Sequence, residues 1–152
     1  MKVLVFSDSH RYTPGMIEAI ETHQPDQVIH LGDLLSDGEE LARIYPMLPM
    51  VLVPGNCDGW TPEPAVRQFS LEGHTFLLSH GHLWGVKSGY GAAVAQARSA
   101  GADVLLFGHT HRADCLTTED GILVVNPGSA RHSYALLEVD AQKIIPTLFS
   151  MP

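Results

Sequence analysis

Seven residues of the types that ligate divalent metal ions stand at the ends of five apolar runs in this chain. Asp8 and His10 follow Val3 to Phe6, Asp33 follows Gln27 to Leu31, and Asn56 follows Met50 to Val53. His80 follows Thr75 to Leu78, and His109 and His111 follow Val104 to Phe107. His109 and His111 flank one residue, so in extended backbone both imidazoles would leave the same face. Alone, such a pair reads more readily as solvated loop residues than as a metal site. The recurrence separates the two readings, because ligands of α/β sheets bind beyond the carboxyl ends of the strands, where five polar strand ends would converge. Gly32, Gly55 and Gly108 each precede one of the polar residues and permit tight turns and close backbone approach there.

Seven nitrogen and oxygen donors exceed the needs of one four-coordinate zinc and suit two ions that share a carboxylate. Without a committed thiolate, the set favours manganese, iron, zinc or nickel over calcium or a structural zinc site, and does not choose among the four. Two divalent ions facing only Asp8 and Asp33, an amide and neutral imidazoles stay net positive even with one hydroxide bound, and such a site attracts phosphoryl oxygens. Ions roughly 3.5–4 Å apart lower the pKa of a bridging water and clamp the charge that develops at phosphorus. Metal-assisted phosphoester hydrolysis is the reaction class that follows.

The elements that must position these residues read as α/β. Strands at Val3 to Phe6, Gln27 to Leu31 and Met50 to Val53 alternate with a helix opened by Thr13-Pro14 and a second around Glu39 to Ile44. A hairpin turning at Glu72-Gly73-His74, an alanine-rich helix from Gly91 to Ala100 and a strand from Asp103 to Phe107 follow. The remainder is strands, near Cys115 to Thr118, Ile122 to Val125, Tyr134 to Val139 and Lys143 to Phe149. That is more than one sheet covered by helices holds, so the expected architecture is two packed sheets flanked by helices. At 152 residues, 45% of them hydrophobic, the chain is expected to form a single domain over residues 1–152. A net charge of -8 with nine Lys and Arg argues against an extended nucleic-acid footprint or an anionic membrane surface. Two cysteines, no signal-peptide core and no membrane-length apolar run give a cytoplasmic expectation.

In order, Asp8-x-His10, Gly32-Asp33, Gly55-Asn56, the strand-end His80 and Gly108-His109-x-His111 resemble the signatures of the calcineurin-like metallophosphoesterases. The match runs from Asp8 to His111 and is nearest to the branch of small bacterial and archaeal phosphodiesterases. It implies a two-sheet sandwich flanked by helices and a binuclear phosphodiesterase acting on a small or accessible phosphoester through a metal-bridging hydroxide. By motif, Asp8, His10 and His111 would hold one ion, Asn56, His80 and His109 the other, and Asp33 would bridge them. A dimer or tetramer would be usual for the branch. The alternatives within the resemblance are a non-catalytic scaffold like the retromer subunit of this fold, or a nucleotide-directed phosphatase or nuclease.

Cys57 departs from the family pattern, in which many members carry a histidine thought to assist the leaving group. A thiol is poorly matched to that acid role. Asp58 and His82 are candidate replacements, or else residues that only orient the ligands. His30 is expected in the core, His23, His74 and His132 at the surface, and Cys115 as a small buried hydrophobe. Trp60, Trp84 and Tyr90 are either stacking platforms for substrate or packing residues. Asn126-Pro127-Gly128-Ser129 reads as a structural turn, and Arg131 as solvated or ion-paired.

Overall fold

The computed structural model describes residues 1–152. Its first sheet runs in the order β10-β9-β1-β2-β3, with β1 at Lys2–Phe6, β2 at Gln27–His30, β3 at Met50–Leu52, β9 at Ser133–Val139 and β10 at Ile144–Ser150. The second runs β4-β5-β6-β8-β7, with β4 at Val66–Leu71, β5 at His74–Ser79, β6 at Val104–Leu106, β7 at Ala113–Thr117 and β8 at Leu123–Pro127. β1 pairs in parallel with β2, and β6 in parallel with both β5 and β8, so the central strands deliver their carboxyl ends to one edge.

The apolar runs are continuous because these strands are covered on both faces. Val3, Val5, Ile29, Phe76, Leu78, Val104 and Leu106 meet between the sheets in one cluster. Leu4, Phe6 and Val28 face outward against helices α1 (Pro14–His23) and α2 (Leu35–Ile44). Leu77, Leu105 and Phe107 do the same against α3 (Gly91–Ser99). Each such fully buried side chain contributes about 1.5–3 kcal/mol by leaving water. The result is the expected two-sheet sandwich flanked by helices.

α1 opens on a proline and closes at Gln24, which takes a left-handed conformation. α2 begins four residues before Glu39 where its apolar spacing becomes visible, at Leu35, whose N–H is capped by the Asp58 carboxylate from the next loop. Two short 3-10 turns, His82–Trp84 and Val86–Ser88, have no periodic signature and were not foreseen. Cys115 is exposed on the outer strand β7, not buried. His23 is not an ordinary surface residue either: its ring packs against the stacked rings of Tyr134 and Phe149 and its Nε2 is 2.8 Å from the Tyr134 hydroxyl. Trp84 packs beneath α3, while Trp60 stays 91% exposed.

Candidate metal centre

Asp8 is the hub of the site. It is fully buried at the end of β1, where its N–H donates to Gly32 O and its C=O accepts from Ser129 Oγ. Its two carboxylate oxygens are treated differently. Oδ2 accepts from Ser7 Oγ at 2.6 Å and from the His109 N–H at 2.9 Å. Oδ1 has no hydrogen-bond donor although it is buried. Around it stand His111 Nε2 at 3.2 Å and His80 Nε2 at 3.6 Å. A buried carboxylate oxygen without a donor is costly, and a cation is the partner that would satisfy it.

His80 is held to match. Its Nδ1 donates to Leu31 O at 2.8 Å, which leaves Nε2 with its lone pair exposed to the site. That Nε2 lies 3.1 Å from His109 Nδ1. On the other side, His10 Nδ1 is 3.0 Å from Asp33 Oδ2, and its Nε2 is 3.3 Å from His111 Nε2. Two triads therefore have donor atoms within 4.8 Å of one another: Asp8, His10 and His111, and Asp8, Asp33 and His80. The six carboxylates and imidazoles singled out from the sequence thus lie together. The donor set is nitrogen and oxygen only, of the kind that suits first-row divalent ions, and it fits a metal centre.

Asn56 is exposed, with its amide nitrogen 3.9 Å from Cys57 Sγ. Its loop is pressed onto the bridge residue: a Cβ on Gly55 would come within 2.5 Å of the Asp33 backbone. Asp33 first, then burial and the neighbouring carboxylates, raise the pKa of the Cys57 thiol. Asp58 accepts N–H groups from Leu35 and Gly55, so it ties the start of α2 to this loop. His82 lies with its ring 5.6 Å from His80 and 6.2 Å from His109, its Nδ1 buried without a partner. Burial first and His80 second lower its pKa. The pKa of His109 is lowered by burial first, then by His80 and Lys87.

The backbone at the site corrects one expectation. His109 and His111 are not on extended backbone; their φ values are 69° and 63°. The rings consequently diverge, His109 towards His80 and His111 towards His10. Asp8, His10 and Asp33 share this left-handed conformation, with φ of 53°, 48° and 90°. Such conformations cost about 1–3 kcal/mol each in non-glycine residues and concentrate at functional sites. Arg11, next to His10, shares it at φ 67°, and among the other non-glycine residues only Gln24 and Glu72 adopt it, at a helix end and a hairpin turn.

Beneath the donors runs a second layer that the strand-end pattern did not single out. His30 Nδ1 accepts from Gly32 N, so its proton sits on Nε2 and faces Ser9 Oγ, which donates to Asp37 Oδ2 at 2.6 Å. Burial, opposed by Asp37, pulls the His30 pKa down to about 4. Asn126 Nδ2 donates to Gly108 O and Thr110 Oγ1, and its Oδ1 accepts from Gly128 N. The 126–129 segment is therefore a clamp on both the Asp8 and His109 backbones. Single serines and aspartates carry no spacing signal, so Ser7, Ser9 and Asp37 are not legible in the sequence, and Ser129 reads there only as part of a turn.

Comparison with known proteins agrees with this geometry. The model of the calcineurin-like phosphoesterase superfamily domain matches residues 1–142. A probable metallophosphoesterase of Mycoplasma pneumoniae is 40% identical over 131 residues, 84% of this chain and 78% of that protein. A phosphodiesterase of Methanocaldococcus jannaschii is 28% identical over 151 residues, covering 84% and 83%. The zinc complex of Vps29 from Entamoeba histolytica superposes with a TM-score of 0.80 at 22% identity over 99% of both chains, a likeness of fold. With its site residues on that fold and the family match spanning most of its length, the chain belongs to the calcineurin-like phosphoesterase superfamily.

Proposed function

We propose that residues 1–152 act as one metal-dependent phosphodiesterase unit that hydrolyses small or accessible phosphoesters with two divalent ions. The observation that carries this reading is Asp8 Oδ1, a buried carboxylate oxygen with no protein donor, ringed by imidazole nitrogens. Asp8, His10 and His111 would hold one ion, and His80, His109 and Asn56 the other. Asp33 would bridge them, since it touches His10 and shares a triad with His80. Manganese is the first choice of metal, with nickel, zinc or iron as alternatives.

When bound, the ions supply a nucleophilic water at neutral pH and positive charge for the phosphoryl oxygens. The protein's own residues do the rest. Ser7 and the His109 N–H hold Asp8 so that only Oδ1 faces the site, and Leu31 O fixes the His80 tautomer. Buried Asp8 and His80 keep bulk water from one side, and the exposed His10 and His111 leave the other open to substrate. The jannaschii relative's activity supports the diester preference. The acidic surface supports a small ester over extended nucleic acid. A cytoplasmic location belongs to the same reading: both cysteines are unpaired, and no helix is long and apolar enough to cross a membrane.

The test is turnover of bis(4-nitrophenyl) phosphate by the chain supplied with manganese, nickel or zinc, beside an Asp33→Ala control. Metal-dependent turnover lost in the control is expected; no turnover with any metal would sink the enzyme reading. The second reading, a protein-binding scaffold, is favoured by the Vps29 likeness and by an apolar recess of about 390 Å³ lined by Ile20, Pro25, Ile44, Tyr45, Met47 and Leu48. It predicts a folded chain whose binding partner is indifferent to Asp33→Ala.

A further inference from the structure

Beside the metal centre lies an open recess of about 580 Å³ whose lining includes Lys87, Ser88, Tyr90, Thr110 and Arg112. Thr110 stands between the ligand candidates His109 and His111, so the recess adjoins the centre directly. The chain has only nine basic residues against seventeen acidic ones, yet two of the nine meet here. Elsewhere Arg67 pairs with Glu63 and Arg98 with Asp120, each at 2.7 Å. Lys87 and Arg112 make no ion pair. The carboxylate beside them, Asp114, is engaged by the Tyr90 hydroxyl at 2.8 Å and by the Cys115 N–H.

The wall carrying Arg112 is fixed: Thr110 Oγ1 accepts from Asn126 Nδ2 at 2.8 Å and from the Arg112 N–H at 3.1 Å. Lys87 lies in the second 3-10 turn, Val86–Ser88, and lines the same recess as Arg112. In a chain of net charge -8, two unpaired cations at a site for anionic esters form a local attractive patch against a repulsive background.

We propose that this recess binds a second anionic group, a phosphate or a carboxylate, carried by the phosphoester whose reacting phosphorus lies at the metal centre. The substrates are then small esters with two separate anionic groups. The inference rests on the phosphodiesterase reading for what happens at the metals, and on Lys87 and Arg112 for the second group. Arg112 offers a planar fork suited to either anion, and Lys87 a compact charge.

The test compares 4-nitrophenyl diesters whose second arm is ethyl, 2-carboxyethyl or 2-phosphonoethyl, hydrolysed by the metal-loaded full chain at low salt. The anionic arms should raise kcat/KM over the ethyl arm by about tenfold or more, chiefly through KM, because charge-assisted contacts add binding in that range. The Lys87→Ser/Arg112→Ser double variant should bring the ratio to about one. A ratio near one in the parent, or one that survives in the double variant, overturns the proposal, and the better anionic arm tells phosphate from carboxylate. If no ester turns over, the phosphodiesterase reading fails and the recess is judged by binding alone. Methylphosphonate or acetate titrated into the metal-free chain should then shift the backbone amides of residues 86–90 and 110–112. Shifts absent from the parent, or equal in the double variant, overturn the anion site itself.

Discussion

The two sides of the metal centre are held in opposite ways. Asp8 and His80 are fully buried, and their side-chain atoms not aimed at the site are engaged, Asp8 Oδ2 by Ser7 and the His109 N–H and His80 Nδ1 by Leu31 O. His10 and His111 have side chains 33% and 48% exposed, and the polar contacts of their rings are with other ligand candidates. One side is thus built by folding, before any ion arrives; the other depends on the ion to fix it. Preorganisation on the buried side costs native stability, because donor atoms crowd one another and one carboxylate oxygen goes unsatisfied.

The largest effect should come from changing that side at Asp8. Asparagine keeps an oxygen for Ser7 and the His109 N–H, and its amide can donate to His80 or His111. Asp8→Asn should lose about 1,000-fold or more of metal-dependent turnover, on the scale expected for removing a metal ligand. Its metal-free melting temperature should equal or exceed the parent's, since an unpartnered buried charge is gone. A clear drop in metal-free stability would show that Oδ1 is satisfied in some other way and would erase the contrast.

Next in size is the seam where the two sheets meet. A Cβ on Gly108 would overlap Ser7 Oγ and come within 2.7 Å of Asp8 Oδ2. Gly108→Ala should lower the unfolding free energy by about 2–4 kcal/mol in denaturant titration, as forced repacking of a rigid interior does. Gly59→Ala, which meets no atom within 4 Å and like Gly108 has no left-handed φ, serves as the control for adding a methyl group without a clash. Equal losses in the two would mean that the seam is soft.

How far this contrast could be read from sequence depends on which physical signal carries each part. Buried strands announce themselves as apolar runs, and their polar terminators place Asp8, Asp33, His80 and His109 without knowledge of the fold. α2 was legible only from Glu39 because its first turn is capped across space by Asp58, 23 residues away from Leu35. The left-handed backbone at Asp8, His10 and His111 was invisible, since these residue types carry no preference strong enough to predict it. The clamp from Asn126 to Ser129 reads locally as a turn; its hold on Asp8, 121 residues distant at Ser129, exists only once β8 and β1 are assembled.

His30 sharpens the same comparison through pH. It is buried and neutral beneath Asp8, with its pKa lowered to about 4 chiefly by burial, against about 6.5 in the unfolded chain. Between those values the unfolded chain binds the proton and the folded one does not, so this group's stability is present above about pH 6.5 and lost as pH falls towards 4. It should remove about 2 kcal/mol of metal-free stability between pH 7 and pH 5. His30→Gln should be less stable at pH 7 yet show a flatter profile across that interval in denaturant titration. An unchanged slope would mean that the buried layer does not exclude the proton.

The smallest effect belongs to the open side, at Cys57. Its pKa is raised, by Asp33 first, so at neutral pH the exposed thiol stays protonated. A group so placed neither attacks phosphorus nor protonates a departing alkoxide. Cys57→Ala should therefore change turnover of a 4-nitrophenyl diester by less than about threefold, because that leaving group departs without a proton. Cys57→His should raise kcat/KM on a diester with an alkyl leaving group by about a hundredfold, the lower end of what a positioned acid supplies, and leave the nitrophenyl ester nearly unaffected. The two esters must be compared within one variant, since a histidine that merely recruited a metal ion would move both rates together. A loss in Cys57→Ala approaching that of Asp8→Asn would move Cys57 from the open rim into the preorganised side.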